Sequence, residues 1–370
     1  MIKNICILTT AHTATDIRIF HKEAVTLAAA GFHVEIIGQH QKEEVIGGIL
    51  IIPIAPAKNR FSRFCIMPIK MFFAAAKRNA DVYHFHDPEL VPTGFFLKVF
   101  CGKKVIYDSH EDAPSAVFYR QWLPNFFKPL ASFAFGFMEK TMARFFDCVI
   151  GATPHIAGKF KSRRVETISN YPLLSYFEDI PVKVFREGAG SSFAAIYAGN
   201  FEFVRGILQI VDAIGLVDPV INVVLELAGK FTEDDFKNKV ISSPGWKRVV
   251  LLGWIPLKEA YLAIAKADVA LVCFLPTGVN LEAVPNKIFE YMAAGVPLIY
   301  SNFPMWRQIA DGCGVAVDPK DSLSIAGAIE YLAKNKDIAR QMGEKGKKMV
   351  KECYNWDKEG KKLIDIYRNL

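Results

Sequence analysis

The chain has 370 residues, 51% of them hydrophobic, and a formal net charge of +7. This length is enough for two domains that each bury a core. No stretch reaches the roughly 18 to 20 apolar residues of a membrane span. The charge excess is small and no nucleic-acid-binding motif accompanies it, which argues against DNA or RNA as a partner. The seven cysteines form no CxxC pair, so we expect reduced thiols in a cytoplasmic protein, with neither a disulfide framework nor a zinc site.

Short apolar runs alternate with helical patterns in the first half of the chain. The predicted strands lie at 3–10, 33–38, 49–54, 81–87, 104–107, 148–151 and 167–168. After the polar loop 12–16, a helix places Ile19, Ala24 and Leu27 on one side and stops at Gly31. This alternation predicts an α/β domain with a parallel, doubly wound sheet, in which ligands bind at the carboxyl ends of the strands.

The pattern breaks at 171–190, which carries two prolines and a glycine-serine end and is typical of a linker. It then restarts as a second α/β domain. Predicted strands follow at 194–197, 223–227, 249–252, 269–273, 298–300 and 314–317. Helices are predicted to begin at Ile207, Leu257, Asn286 and Ser322, and the last segment, 337–370, is predicted to be helical.

The stretch 281–301 combines a loop, a helix and a strand. Pro285 suits a helix start, because the first amide of a helix has no acceptor. The helix is predicted to end at Gly295, before a buried strand. Such a unit leaves a positive helix N-terminus at the mouth of the sheet, where backbone amides hold an anion. The carboxylates of Glu282 and Glu290 flank this mouth.

Three motifs then occur in a characteristic order: 198–206 with Gly199, Asn200 and Arg205; the pair Glu282 and Glu290; and the run 294–297. Together they resemble the signature set of glycosyltransferase family 4, the group 1 glycosyltransferases. The segments HDPE and YDSHE are similar to the branch that synthesises bacterial polysaccharide and lipopolysaccharide.

The resemblance implies the GT-B architecture, in which two doubly wound Rossmann-like domains face each other across a cleft. Residues 1–180 would form the acceptor-side domain and residues 181–353 the nucleotide-sugar-binding domain. A final helix, 354–370, would cross back to the first domain.

For the donor site, the resemblance implies phosphate contacts from Arg205 and Lys287, a ribose contact from Glu290 and a donor-sugar contact from Glu282. The residues that complete the donor nucleotide and phosphate site are Asn286, Gly199 and Asn200. Relatives commonly carry a second basic residue at the position of Asn200. The alternatives are that the two cations are ordinary surface charges and that Glu290 caps or solvates its helix.

In the first domain, His110 stands where the family places a histidine close to the donor sugar; the alternative is an ordinary loop histidine. The predicted acceptor-side residues are Asp16, Arg18, His84, His86, Asp87 and Glu111. The pattern His84-x-His86-Asp87 is also typical of a metal site. Because both histidines project from one strand face and no distant third ligand is evident, we predict acceptor-site lining and no metal.

The resemblance predicts a retaining, metal-independent hexosyltransferase that needs no cofactor. Its donor would be a UDP- or GDP-linked sugar and its acceptor a saccharide or a polyprenyl-linked saccharide. A nucleotide-sugar epimerase of the same architecture and an inert sugar-nucleotide binding protein are the alternatives.

The aromatic and basic stretch 118–146 is typical either of core packing or of a surface that contacts anionic lipid. We predict core packing for most of it and a basic aromatic rim that contacts the cytoplasmic face of the inner membrane. The basic residues that extend this rim are Arg60, Arg63, Lys70, Lys77 and Arg78.

Overall fold

A computed structural model of the chain describes residues 2–110, 112–119, 123–178, 180, 192–277, 280–281 and 284–370. The chain separates into two compact units. The first comprises Met1–Asn170 with Trp356–Leu370, and the second comprises Tyr171–Asn355. Most of the predicted linker lies outside the described residues.

The first unit is built on an eight-stranded sheet with the order β3-β4-β2-β1-β5-β6-β7-β8. Every neighbouring pair is parallel except β3 with β4. The strands are Asn4–Thr13 (β1), His33–Gln39 (β2), Glu44–Ile46 (β3), Ile49–Ile54 (β4), Val82–Phe85 (β5), Lys104–Ser109 (β6), Cys148–Gly151 (β7) and Val165–Thr167 (β8). The apolar side chains at positions 5–8 of β1 and those of β5 and β6 are buried, as expected for a sheet covered on both faces.

Helices cover this sheet. They are Val25–Ala29 (α1), Met67–Ala76 (α2), Val91–Cys101 (α3), Ala113–Ala116 (α4), Lys128–Ala143 (α5) and Pro154–Ala157 (α6). A π-helical segment, Ile17–Ala24, leads directly into α1, and a second one, Ser62–Ile66, leads into α2. Short 3-10 turns occur at Pro88–Leu90 and Val117–Tyr119.

The second unit is built on a parallel six-stranded sheet with the order β11-β10-β9-β12-β13-β14. The strands are Phe193–Ala198 (β9), Val223–Ala228 (β10), Val249–Gly253 (β11), Val269–Val272 (β12), Leu298–Ser301 (β13) and Gly314–Val317 (β14). In both units the strand order reverses beside the unit's first strand, so both are doubly wound and the predicted fold class is confirmed. In such sheets the ligand crevice lies at the carboxyl ends of the strands that flank the reversal.

The helices of the second unit are Ser175–Glu178 (α7), Ile207–Leu216 (α8), Asp234–Ile241 (α9), Leu257–Lys266 (α10), Asn286–Ala293 (α11), Pro304–Ile309 (α12), Ser322–Lys334 (α13) and Lys336–Glu352 (α14). Its 3-10 turns are Phe203–Arg205 and Pro244–Arg248. The last helix, Trp356–Arg368 (α15), packs on α1 and on the π-helical segment Ile17–Ala24. It therefore belongs to the first unit. Among the described residues, no helix has the length and apolarity needed to cross a bilayer.

One local prediction was incomplete and another is refined by the structure. The antiparallel edge strand β3 was missed, because it has only three residues and follows a polar segment. The C-terminal segment predicted to be helical consists of two helices, α14 and α15, and α15 corresponds to the final helix predicted for 354–370. The break falls at Asn355, whose side-chain amide donates to the carbonyls of Val350 and Lys351 and so ends α14.

Candidate functional site

A cavity of about 410 Å³ in the second unit gathers most of the predicted donor-site residues. It lies at the carboxyl end of β9 and the N-terminus of α11. Its lining comprises Tyr197, Asn200, Arg205, Val284, Pro285, Asn286, Lys287 and Glu290. The cavity combines two cations, one carboxylate and a helix N-terminus, a set suited to a phosphorylated ligand with hydroxyl groups.

Lys287 is the second residue of α11 and is partly buried. Its ammonium lies 5.7 Å from the centre of the Tyr197 ring, and among the described residues no carboxylate comes within 4 Å of it. Burial lowers the pKa of Lys287, and the Glu290 carboxylate opposes this shift. A cation at a helix N-terminus is unfavourable unless an anion compensates it. The position therefore favours an anionic ligand.

Arg205 closes the other side of the cavity. Its guanidinium carbon lies 4.5 Å from the centre of the Phe274 ring, and its Nε lies 3.5 Å from a Glu202 oxygen. Gly206 follows with φ +70°, and any side chain there would collide with the Cys273 carbonyl. Gly199 has φ +140°, and a side chain there would overlap the Lys287 ammonium. Both positions therefore require glycine.

Three tyrosines that the sequence did not single out shape this cavity. The Tyr261 hydroxyl lies 3.3 Å from a Glu290 oxygen and donates to it, which orients the carboxylate. The Tyr291 hydroxyl accepts from the Ala198 amide at 2.9 Å and ties α11 to the end of β9. The Tyr197 hydroxyl donates to the Asn200 carbonyl at 3.1 Å. Each tyrosine lies in an apolar run, so the sequence pattern indicated only core packing.

Glu282 and Glu111 lie outside the described residues, and so does part of the loop between Glu282 and Pro285. Their assignments to the donor sugar and to the acceptor side stay predictions.

In the first unit, Asp87 and Asp16 organise the loop after β1. One Asp87 oxygen accepts from the Thr9 hydroxyl at 2.8 Å and from the Thr10 and Ala11 amides at 2.5 and 3.0 Å. Asp16 caps the following π-helical segment by accepting from the Arg18 amide at 2.8 Å. Both carboxylates therefore accept hydrogen bonds from backbone amides and stabilise this loop.

Arg18 is buried, and its guanidinium contacts two carboxyl groups. Its guanidinium lies 2.7 Å from Asp108 at the end of β6 and 2.9 Å from Glu23. Burial disfavours ionised Asp108, but Arg18 and the nearby histidines outweigh this and hold its pKa well below the ordinary range. Burial and the neighbouring Asp108 charge instead raise the pKa of Glu23 well above its ordinary value.

His84 and His86 lie beneath the surface, with 0% and 2% of their area exposed. His84 Nδ1 is 2.8 Å from the Tyr367 hydroxyl of α15, and His86 Nδ1 is 2.9 Å from His110 Nε2. The side chain of His110 is 23% exposed, so it links the buried pair to solvent. Burial lowers the pKa values of His84 and His110 to about 4. The structure thus places the two predicted acceptor-side histidines in a buried network rather than on a surface.

Four buried side chains of this network, Glu23, His84, His86 and Asp108, offer ligand atoms that lie within 4.8 Å of one another. Glu23 and Asp108 come from segments distant from the two histidines, so the sequence pattern did not reveal them as further ligands. Nitrogen and carboxylate donors at such spacing suit a divalent cation. However, the Arg18 guanidinium already contacts both carboxylates, and a second cation beside it would be repelled.

The second unit is similar in sequence to known proteins. Residues 183–349 match the family described as glycosyl transferases group 1. An uncharacterized glycosyltransferase of Methanocaldococcus jannaschii is 25% identical over 179 residues, which cover 47% of this chain and 44% of that protein. The chain thus spans less than half the length of this curated relative.

Solved glycosyltransferases with the GT-B fold resemble the chain over its full length. Sucrose-phosphate synthase from Thermosynechococcus elongatus has a TM-score of 0.74 and 19% identity, over 99% of this chain and 98% of that one. HepE from Anabaena, in complex with UDP-glucose, has a TM-score of 0.73 and 12% identity, over 99% of this chain and 100% of that one. At these identities the likeness supports the fold alone. The matched segment, 183–349, contains every residue that lines the cavity.

Proposed function

We propose that this protein is a retaining glycosyltransferase that moves a hexose-type sugar from a nucleoside diphosphate to a saccharide or polyprenyl-linked saccharide. The observation that carries this proposal is the partly buried Lys287 ammonium at the N-terminus of α11. Together with Arg205 it faces a cavity that offers no carboxylate close to Lys287 among the described residues. A diphosphate supplies the missing negative charge.

The donor side follows from the chemistry of this cavity. Arg205, Lys287 and the α11 amides bind the diphosphate, and Glu290, oriented by Tyr261, accepts hydrogen bonds from vicinal ribose hydroxyls. The two cations stabilise the charge that develops on the leaving diphosphate, a role that other enzymes give to a metal ion. The group 1 family match and the UDP-glucose complex of HepE support a UDP-linked donor.

The transfer exchanges one bond for another. The bond between the anomeric carbon and the diphosphate oxygen breaks, and a bond from the acceptor hydroxyl oxygen to that carbon forms. The nucleoside diphosphate keeps the bonding electrons, and the hydroxyl proton is released. We assign His110 and Glu282 to hydrogen bonds with the donor sugar, and the acceptor to the first unit. Retention of configuration and independence of metal rest on the resemblance to family 4.

A polyprenyl-linked acceptor lies at a membrane. The first unit carries a surface that is suited to membrane binding. We name it the α2–α3–α5 surface. Its exposed apolar side chains are Phe61, Phe64, Ile69, Phe73, Phe96, Val99, Phe100, Phe126, Leu130, Phe133, Phe137 and Phe145. Phe73 of α2, Phe100 of α3 and Phe133 of α5 are each at least 60% exposed. Isolated exposed apolar residues are ordinary, but a patch shared by three packed helices is typical of an interaction site.

The charges around this surface favour an anionic bilayer as its partner. Segment 58–78 carries six lysines and arginines and no acidic residue. Segment 90–104 carries three lysines and no acidic residue. In segment 125–146 the only acidic residue, Glu139, is buried. Basic residues interspersed with exposed aromatics bind anionic lipid by charge attraction and shallow insertion. We therefore propose peripheral binding to the cytoplasmic face of the inner membrane.

The donor assignment is tested by thermal unfolding with UDP, GDP and ADP. A nucleotide at 100 times its dissociation constant stabilises the folded protein by about 2.7 kcal/mol, a shift of several degrees. We expect one nucleotide to raise the Tm of the wild type and of the surface variant Lys258→Ala, but not of Arg205→Ala or Glu290→Ala. A shift that survives both cavity substitutions would place the nucleotide elsewhere.

The reaction class is tested by mass analysis of the products formed with the matching nucleotide-sugar. A glycosylated acceptor supports the transferase. An isomerised sugar without acceptor indicates the epimerase, and an unchanged donor indicates a binding protein.

A further inference from the structure

A second cavity, of about 400 Å³, lies in the first unit. Its walls come from α4, from α5 and from α6 with the residues that follow it. Ser109, the last residue of β6, also lines the cavity, and His110 is the next residue along the chain. The cavity therefore reaches the carboxyl edge of the sheet, where the crevice of a doubly wound unit lies, and it has the size of a small-molecule site.

Apolar side chains form much of the cavity wall. Ile156 and Phe160 are buried, with 8% and 7% of their area exposed. Phe133 and Phe137 of α5 are 72% and 65% exposed, and their ring centres lie 6.4 Å apart. The cavity thus joins an exposed aromatic rim to a buried apolar wall, an arrangement that suits an apolar chain entering from outside.

The exposed rim of the cavity belongs to the α2–α3–α5 surface, because Phe133 and Phe137 are part of both. A lipid chain that leaves a bilayer at this surface can enter the cavity without exposing its apolar atoms to water, which would be unfavourable. The volume accommodates part of one chain. It therefore fits an isoprenoid lipid with a single chain better than a phospholipid with two acyl chains.

The charged groups of the cavity favour an anionic end on that chain. The Lys159 ammonium is paired with the Asp112 carboxylate. Lys140 of α5 lines the same cavity, and it forms no ion pair with any residue that the structure describes. The remaining carboxyl group, that of Glu139, accepts from the Tyr107 hydroxyl, and burial raises its pKa to about 7. Below that pH the cavity carries a net positive charge, which a phosphate would complement.

We propose that this cavity binds the isoprenoid chain of a lipid-linked acceptor next to its phosphate group. Phe133, Phe137, Ile156 and Phe160 contact the chain, and Lys140 binds the phosphate. The saccharide that the lipid carries then lies at the Ser109 end, at the carboxyl edge of the sheet. The role of this lipid as acceptor rests on the function proposed above, whereas the affinity of the cavity for an isoprenyl phosphate does not.

Photoaffinity labelling of the wild-type protein tests the site directly. The probe is farnesyl phosphate with a diazirine on its chain, and peptide mass analysis locates the label. We expect labelling within 133–140 and 154–160, and competition by unlabelled farnesyl phosphate. Labelling elsewhere, or none, overturns the proposal, and this result does not depend on how any variant folds.

Two competitors separate the possible occupants. Equal competition by phosphatidylglycerol would assign the cavity to bilayer phospholipid, against the proposal. Equal competition by farnesol, which has the same chain and no phosphate, would exclude the phosphate contact of Lys140. We expect both to compete at least about tenfold less well than farnesyl phosphate, because hydrogen bonds to a charged group are worth about that factor or more.

Two substitutions test the chain and phosphate contacts separately. Ser115 lines the cavity from α4, so Ser115→Phe should fill it and reduce labelling at least about tenfold, since part of the chain loses its apolar contacts. Lys140→Glu should reduce labelling to a similar degree by reversing the charge. The control Lys161→Glu, at an exposed position outside the cavity, should change labelling less than about twofold. Wild-type labelling in both cavity variants overturns the proposal.

The transfer assay connects the cavity to the acceptor. Ser115→Phe should raise KM for an isoprenyl-linked saccharide about tenfold and leave KM for the nucleotide-sugar donor within about twofold, because the donor cavity lies in the second unit. An unchanged acceptor KM contradicts the acceptor role of the cavity. If the wild type transfers no sugar to any acceptor, the proposed function fails, while the labelling result still decides whether the cavity binds an isoprenyl phosphate.

Discussion

Lys287 is expected to lower the stability of the free protein and to strengthen the binding of an anionic ligand. Its ammonium is partly buried beside the positive end of α11, and its pKa is lowered by burial. Groups that bind a charged ligand are often held in a destabilised state until the ligand arrives. Substitution of this residue should therefore raise the stability of the free protein and weaken ligand binding.

We predict that Lys287→Met raises the stability of the free protein while it abolishes nucleotide binding. Removing a poorly solvated cation should stabilise the fold by about 1 kcal/mol, or roughly 2–4 °C in Tm. Thermal unfolding with and without nucleotide measures both effects, and Lys258→Met is the surface control. A variant that is less stable and still binds would contradict this assignment.

Glu139 is a second residue whose environment determines its charge. It is buried in α5, and its carboxyl oxygen accepts from the Tyr107 hydroxyl at 2.6 Å. Burial raises the pKa of Glu139 to about 7, despite this hydrogen bond. The folded protein thus keeps a proton that the unfolded chain loses near pH 4.5, so its stability falls as the pH rises from about 4.5 to 7 and is constant above that.

We predict that Glu139→Gln removes this fall. Between pH 5 and pH 8 the wild type should lose up to about 3 kcal/mol that the variant retains, since one pKa unit corresponds to about 1.4 kcal/mol. Denaturant unfolding at both pH values gives the difference, and Glu43→Gln, at an exposed position, controls for general charge effects. Equal pH dependence in wild type and Glu139→Gln would mean that Glu139 is ionised throughout.

At the scale of elements, α2, α3 and α5 have apolar side chains on two sides. One side packs on the sheet, where Met71, Leu97 and Ala143 are fully buried, and the other side is exposed. Aromatic contacts run between the helices, with the Phe72 and Phe96 ring centres 6.3 Å apart. The prediction that most of 118–146 packs in the core was therefore wrong for Phe133 and Phe137, which are 72% and 65% exposed. The exposed side is the surface on which the proposed lipid contact depends.

We predict that Phe73→Glu combined with Phe133→Glu abolishes flotation with phosphatidylglycerol vesicles. Each phenylalanine contributes about 1.5–3 kcal/mol when fully buried, so the partition coefficient should fall at least about tenfold. Binding by the wild type should weaken with salt and be absent with phosphatidylcholine vesicles. Leu323→Glu, an exposed apolar position in the second unit, is the matched control. Salt-insensitive binding, or none, by the wild type would exclude the surface as a lipid contact.

At the scale of the whole molecule, the chain leaves the first unit at Asn170 and returns to it in α15. Trp356, Leu363 and Tyr367 of this helix are fully or almost fully buried, and the Trp356 indole donates to the Thr26 hydroxyl at 2.8 Å. The core of the first unit is therefore completed by the last residues of the chain. Its stability depends on a contact between residues 330 positions apart.

We predict that Trp356→Ala destabilises the first unit by about 3–5 kcal/mol, the usual cost of removing a buried tryptophan. Thermal unfolding should show a markedly lower transition for that unit. Lys361→Ala, at an exposed position of the same helix, should change stability by less than about 0.5 kcal/mol. Similar effects of the two substitutions would mean that α15 is not part of the core.

The sequence by itself determined the two α/β units and singled out most of the charged residues that line the cavity of the second unit. Gly206 and Pro285 each act within their own short segment, so local pattern was enough to predict the two helix starts, and the resemblance to family 4 assigned Arg205, Lys287 and Glu290 to one site. Only the tertiary structure decided the network around His110. Glu23, His86 and Asp108 meet because β1, β5 and β6 are neighbours in the sheet, and strand order depends on packing between segments far apart in the chain. The same packing buries His84 and His86, which local pattern had placed on an accessible face.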